Sequence, residues 1–328
     1  MPEEYARREH EPSMPRKRKG DVVDGVLLLD KPAGVSSNRA LQQARFLLNA
    51  AKGGHGGTLD PLATGLLPLL LGEATKFSAD LLDADKVYEA HIQLGVRTAT
   101  ADAEGEVIET RPVAVSREQF AAAAARFVGR IAQVPPMYSA LKRDGKPLYQ
   151  YARAGVDLER APRAVDVARI DVLAFEGTRA HVVVACGKGT YVRTLAEDIG
   201  AALECGAHLA ALRRLRVGEL SLERAVTLDD LALLPATVRR EWLLPVDALL
   251  TRVPRVDLDP AQAQAFAHGA ALELGGRSAP ERESIAAGRR RVYGPNHRLL
   301  GVADIDERGV LQPRRLLAQD QSGPAAAV

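Results

Sequence analysis

Gly25-Val26-Leu27-Leu28-Leu29-Asp30 is an unbroken apolar run of buried-strand length, closed by the turn-forming Lys31-Pro32-Ala33-Gly34. Ser37 follows at an N-cap position, ahead of a helix running to about residue 51 with Leu41, Ala44, Leu47 and Leu48 on its apolar face. The glycine-dense Gly53-Gly54-His55-Gly56-Gly57-Thr58-Leu59-Asp60-Pro61 reads as neither helix nor strand interior. Pro61 biases Asp60 towards extended backbone, so the carboxylate is presented from a loop. Leu66 to Leu71 then reads as a core strand and Glu73 to Leu82 as a helix. In residues 86–95, Tyr88, Ala90, Ile92 and Leu94 alternate with Val87, Glu89, His91 and Gln93, the period-two signature of a half-buried strand.

Further along, Ser116 with Gln119 three residues on forms a capping-box pattern that opens a helix over 117–128. A short helix is expected at 147–155. Two strands, Val165 to Phe175 and Ala180 to Cys186, flank Glu176-Gly177, and Gly187-Lys188-Gly189-Thr190 leads into a helix from about Tyr191 to Leu203. Interleaved signals of this kind over residues 21–249 predict a mixed α/β domain on a large sheet. Beyond Leu250 the texture changes to short strands (Arg291 to Tyr293, Leu299 to Ala303, Val310 to Leu311) between turn residues, a small β-rich domain over 250–318. A disordered tail is expected at 1–20, ending in the basic run Arg16-Lys17-Arg18-Lys19, and another at 319–328.

Of the 328 residues, 46% are hydrophobic, which excludes wholesale disorder. No window approaches the ~18 apolar residues of a membrane-spanning helix, and residues 1–20 lack an apolar signal-peptide core. The two cysteines, Cys186 and Cys205, make no disulfide framework, so a reducing cytoplasm is expected. A formal charge of +2 announces no nucleic-acid partner. Arginine outnumbers lysine heavily, which suits phosphate and stacked bases, although the alanine-rich composition makes codon bias the favoured explanation.

Nucleotide fingerprints are absent: neither glycine-rich stretch has the phosphate-loop or dinucleotide spacing. Cys205 and His208 lack the second pair that a tetrahedral metal site needs, and no Gly-x-Ser-x-Gly elbow occurs. Asp60 remains, either a turn aspartate satisfying backbone N–H groups or a reacting carboxylate. His55 nearby, with Tyr88, Tyr191 and Arg193 in or beside other elements, adds the parts needed to hold a planar base and act on its sugar. Arg213, Arg214 and Arg216 read equally as phosphate contacts or as a solvated strand edge.

The motifs go further. Gly25 to Ser37, Gly54-His-Gly-Gly-Thr-Leu-Asp-Pro-Leu-Ala-Thr-Gly65 and Leu71-Gly-Glu-Ala-Thr-Lys-Phe77 are followed by Asp85-Lys-Val-Tyr88 and Leu94-Gly-Val-Arg-Thr-Ala-Thr-Ala-Asp102. After them come Gln133-Val-Pro-Pro-Met-Tyr-Ser-Ala-Leu-Lys142, Gly189-Thr-Tyr-Val-Arg-Thr194 and Gly206-Ala-His-Leu-Ala-Ala-Leu-Arg-Arg-Leu215. In order and spacing this resembles the TruB family of bacterial tRNA pseudouridine synthases, strongly over residues 24–250. The tail, through Gly301-Val-Ala-Asp-Ile-Asp and Pro313-Arg-Arg-Leu-Leu317, resembles more weakly the family's PUA-like RNA-binding module.

The resemblance implies isomerisation of uridine 55 in the T arm of tRNA, by a cytoplasmic monomer that needs no cofactor, metal, membrane or obligate protein partner. It implies Asp60 as the catalytic aspartate, Tyr88 stacking on the base, Tyr191 beside the base and Arg193 pairing with the carboxylate. Leu212 becomes an apolar pocket wall, and His55 fills the gap left when the uridine flips out. Gly56 departs from the family, which often has threonine there. A tRNA-folding chaperone and a guide-RNA-dependent synthase are the alternative readings.

Overall fold

The computed structural model describes residues 20–274 and 286–318; the tails expected at the two ends fall, for 1–19 and 319–328, outside the described residues. An eleven-stranded sheet dominates. Its main path runs Val226–Thr227, Gly25–Lys31, Thr64–Leu71, Ala207–Val217, Lys86–Leu94, Arg179–Cys186, Arg163–Glu176, Gly129–Gln133. Neighbours pair antiparallel except at Val226–Thr227 against Gly25–Lys31 and Ala207–Val217 against Thr64–Leu71, which are parallel. The expected mixed α/β architecture is therefore present.

The leucine-rich runs are apolar throughout because both of their faces are covered. Leu27, Leu29, Leu67, Leu69 and Leu71 enter one core with Ala40, Leu41 and Ala44 of the helix Ser37–Leu47. Val26, Leu28, Leu66 and Leu70 enter another with Leu81 and Leu220. In Lys86–Leu94 only one face is buried: Ala90, Ile92 and Leu94 pack with Phe120 and with Leu195 and Ile199 of the helix Val192–Ala202. That difference is what the continuous and alternating patterns encode.

Several local expectations are corrected. The first helix is capped by Ser36, whose hydroxyl accepts from the Arg39 N–H, and it stops at Leu47. Asn49 turns left-handed (φ 50°) and the chain then bridges back to Asp21. The glycine stretch is not wholly loop, since Gly53–His55 pairs as a short strand with Leu69–Leu71. Residues 72–83 form a 3-10 turn, Gly72–Phe77, and then a short α-helix, Ser78–Asp83. The Ser116–Gln119 capping box forms, but its helix ends at Ala125; the helix expected at 147–155 covers Leu148–Arg153.

A second, five-stranded sheet runs Arg255–Asp257, Gly288–Tyr293, Leu299–Ile305, Val310–Leu316, Leu272–Glu273, with the helix Pro260–Ala267 packed through Phe266. It abuts the large sheet's unit through Phe77, Leu250 and Val302. Polar ties reinforce the contact: Lys76 Nζ donates to the Leu316 carbonyl (2.8 Å), the Ala318 N–H donates to Glu73 (2.6 Å), and Arg289 pairs with Asp80. Among the described residues no helix is long and apolar enough to cross a membrane.

Candidate active site

Asp60 sits in the connection between Gly53–His55 and Thr64–Leu71, and each side of that connection is fastened from within. The buried Ser37 hydroxyl donates to the Leu59 carbonyl and accepts from the Leu59 N–H, both at 2.8 Å. Lys31, with no exposed surface, donates from Nζ to the carbonyls of Pro32 (2.8 Å), Val35 (2.7 Å) and Pro61 (3.3 Å). Its ammonium is pushed down to about 8 by burial, against the pull of the nearby Asp60. Gly57, at φ +91°, takes a conformation L side chains rarely adopt and offers its carbonyl to Arg214 Nη2 (3.1 Å). The departure at Gly56 has a packing reason: a Cβ there would lie 2.2 Å from Leu81 Cδ1, so in this chain Leu81 fills that space.

Arg193 comes from the first turn of the helix Val192–Ala202, whose N-cap is Tyr191. The side chain of the buried Gln133 clamps Tyr191 by both backbone groups, accepting from its N–H (2.8 Å) and donating to its carbonyl (3.1 Å). Arg193 Nε lies 3.0 Å from Asp60 Oδ2, and Nη1 lies 3.4 Å from Asp102 Oδ2. The same guanidinium donates to the carbonyls of Thr100 (3.3 Å) and Tyr138 (2.6 Å). One buried cation thus joins two carboxylates and two backbone carbonyls. Asp102 is itself held by the Thr100 hydroxyl and by the Glu104 N–H (3.1 Å).

Sequence reasoning quoted Asp102 within a motif but gave it no part in the site. Its carboxylate meets Arg193 only through tertiary folding, so no local pattern announces the contact. The buried Lys31 and Arg214 were missed for the same reason. Arg214 is 1% exposed and donates to the Leu66 carbonyl (2.7 Å), while Arg213 is bonded to Asp30 (2.6 Å). The strand-edge reading therefore fails for both, and the surface-phosphate reading fails for the buried Arg214. They belong to an interior strand, and only Arg216 of the three is exposed.

Two cavities share Thr58, Leu59, Asp60, Tyr138 and Ser139. The smaller, about 290 Å³, is walled by Tyr88, Tyr191, Leu212 and Arg214. The larger, about 680 Å³, is lined by His55, Asp102, Arg153 and Arg193. Five of the residues singled out in the sequence thus gather around the sixth, Asp60: Tyr88, Tyr191 and Leu212 on one side, His55 and Arg193 on the other. His55 Nδ1 is buried without a hydrogen-bond partner, and burial, aided by Arg214, lowers its pKa. Burial raises the phenols of Tyr88 and Tyr191, so both hold their protons.

The Arg193 guanidinium alone would hold Asp60 ionised, but it is not the dominant influence. Burial pushes its pKa up and Asp102 adds to this; Arg193 and Lys31 oppose them without reversing the direction. The carboxyl is thereby held above its ordinary pKa, as perturbed groups in a partly buried cleft often are.

Fold and site define an enzyme of the pseudouridylate synthase class, and the family models agree. Residues 45–192 match the TruB family pseudouridylate synthase N-terminal domain, residues 193–251 the tRNA pseudouridylate synthase B C-terminal domain, and residues 254–317 the pseudouridine synthase II TruB C-terminal domain. The chain belongs to the TruB family. It is 59% identical over 307 residues to tRNA pseudouridine synthase B of Burkholderia lata, covering 93% of this chain and 92% of that one. To the protein of the same name from Dechloromonas aromatica it is 56% identical over 301 residues, 92% of this chain and 98% of the other. Among solved structures, a chain of a Cbf5-Nop10-Gar1 complex superposes with TM-score 0.66 at 27% identity, covering 90% of this chain and 85% of that one. A chain of an H/ACA RNP bound to a substrate RNA shares the fold with TM-score 0.69 at 24% identity, covering 95% and 93%.

Proposed function

We propose that this protein isomerises uridine 55 in the T arm of tRNA to pseudouridine, acting in the cytoplasm as a monomer without cofactor, guide RNA or partner protein. The observation that carries this reading is the 3.0 Å contact of Arg193 Nε with Asp60 Oδ2, at the junction of two cavities large enough for an extruded nucleotide. The relatives' names supply the tRNA substrate.

An N-glycoside must become a C-glycoside, so the base detaches, turns and reattaches without escaping. Extruding it from the folded RNA costs a few kcal/mol, and stacking on the face of Tyr88 returns ~1–3 kcal/mol of that. Asp60 attacks the sugar or removes its 2′ proton; Arg193 orients the carboxylate in either route. Tyr191, protonated and beside Asp60 in the smaller cavity, relays the proton released from C5 after reattachment, giving up its own phenolic proton to solvent as it takes the C5 proton. Leu212 walls the turning base, and His55 takes the space the uridine leaves. Residues 21–249 form the catalytic domain, and residues 250–318 act as a PUA-like module that holds RNA beside it.

The test is pseudouridine mapping by mass spectrometry in unmodified tRNA incubated with the pure protein alone. Pseudouridine at position 55 is expected. Product only when a guide RNA and partner proteins are added favours the guide-dependent reading, and RNA annealing without any product favours a chaperone.

A further inference from the structure

The strand Lys86–Leu94 turns Tyr88 towards the catalytic cavity and the next residue, Glu89, to the opposite face of the sheet together with His91. In register, His91 lies directly across from His181 on the strand Arg179–Cys186. The two imidazoles stack, centroids 4.4 Å apart and planes 9° from parallel, and His181 Nε2 lies 2.7 Å from Glu89 Oε1. One ligand atom from each of the three residues falls within 4.8 Å of the others. His91 is exposed and the other two are half-buried, so an ion has a path in from solvent. The Arg213 guanidinium, on the strand position opposite Glu89, is bonded to Asp30 instead.

We propose that Glu89, His91 and His181 form a binding site for a borderline divalent cation, Zn²⁺ in the first instance, separate from the catalytic cavities. Two imidazoles and a carboxylate select Zn²⁺ over Mg²⁺ or Ca²⁺, which take oxygen ligands. Three protein ligands leave the fourth tetrahedral position to water. Bond lengths of about 2.0–2.2 Å place tetrahedral donors roughly 3.4 Å apart, a distance these side chains reach by rotating on a fixed backbone. Glu89 and His91 share one strand at a spacing of two, and His181 is supplied by the neighbouring strand. No metal-ligand spacing is visible in the sequence because the pattern exists only once the strands pair. The bound ion staples two central strands, one of which carries Tyr88.

The experiment is equilibrium dialysis of the full chain, stripped of metal, against ZnCl₂ near neutral pH. It is repeated with His91→Ala, His181→Ala and Glu89→Gln. One Zn²⁺ per chain is expected, bound at least tenfold more weakly by each variant and displaced little by excess Mg²⁺. Binding raises the unfolding temperature of the parent protein and not that of the variants. His91→Ala alters an exposed residue, so it remains informative even if His181→Ala folds poorly. Zinc uptake unchanged in His91→Ala overturns the proposal by placing the ion elsewhere, and absence of uptake by the parent protein overturns it outright.

Discussion

The catalytic centre and the small C-terminal sheet handle charge in opposite ways. At the centre, Arg193 and Asp102 each keep only 4% of their side-chain surface exposed, and Lys31 and Arg214 are sealed beneath the Asp60 loop. In the small sheet, Arg314–Asp304 and Arg255–Asp257 lie at the surface, with 62% and 39% exposure in the first pair and 36% and 59% in the second. Buried charges that lose one partner leave the other stranded in a poor solvent, whereas exposed pairs are resolvated at once. The first arrangement fixes geometry at the expense of stability; the second keeps a surface wet and adaptable. Under the function proposed above, the first suits a carboxylate that acts on a sugar, and the second a module that meets a phosphate backbone.

The most severe way to break this contrast is Arg193→Ala, which leaves the buried Asp102 without its cation and frees Asp60. We expect a loss of about 3–5 kcal/mol of stability, read from the denaturant midpoint, and loss of isomerisation. A loss under about 1 kcal/mol would put the centre on the same footing as the surface pairs. Acid sharpens the contrast less drastically. The folded-state pKa of Asp60 is raised, so its protonated form is the one the fold favours. Stability from this group is present at acid pH and is lost as pH rises through the folded pKa. If Asp60 reacts as its anion, as proposed, activity runs the other way. The acid limb of kcat/KM should therefore titrate above the ordinary carboxylate range, and a limb at or below that range would contradict the role of burial. At the small end, Arg314→Ala removes the exposed pair with Asp304 and should change stability by under about 1 kcal/mol in a thermal melt.

What was legible in the sequence divides along the same line. Gly25 to Asp30 and Leu66 to Leu71 reveal themselves because alternate residues feed two separate cores. The alternation of 86–95 reveals one covered face, and the five residues singled out together with Asp60 all line the two cavities that meet at it. The interior course of Ala207–Val217 is hidden by its arginines, since a buried Arg214 satisfied by the carbonyls of Leu66 and Gly57 has no local signature. Asp102 is hidden by distance: its backbone follows the left-handed Ala101 (φ 59°), and its partner lies across the fold. One miss was avoidable. Asp259, Pro260 and Gln262 spell a capping box with proline in the first turn, and the helix Pro260–Ala267 follows directly.

The central claim is that Asp60 is the reacting group. Asp60→Asn keeps the shape of the side chain and removes its negative charge, so tRNA binding and pseudouridine formation should separate. Measured together on T-arm substrate, binding should stay within a few-fold of the parent protein while product at position 55 disappears. Turnover by the Asn variant at a rate near that of the parent protein would contradict the account.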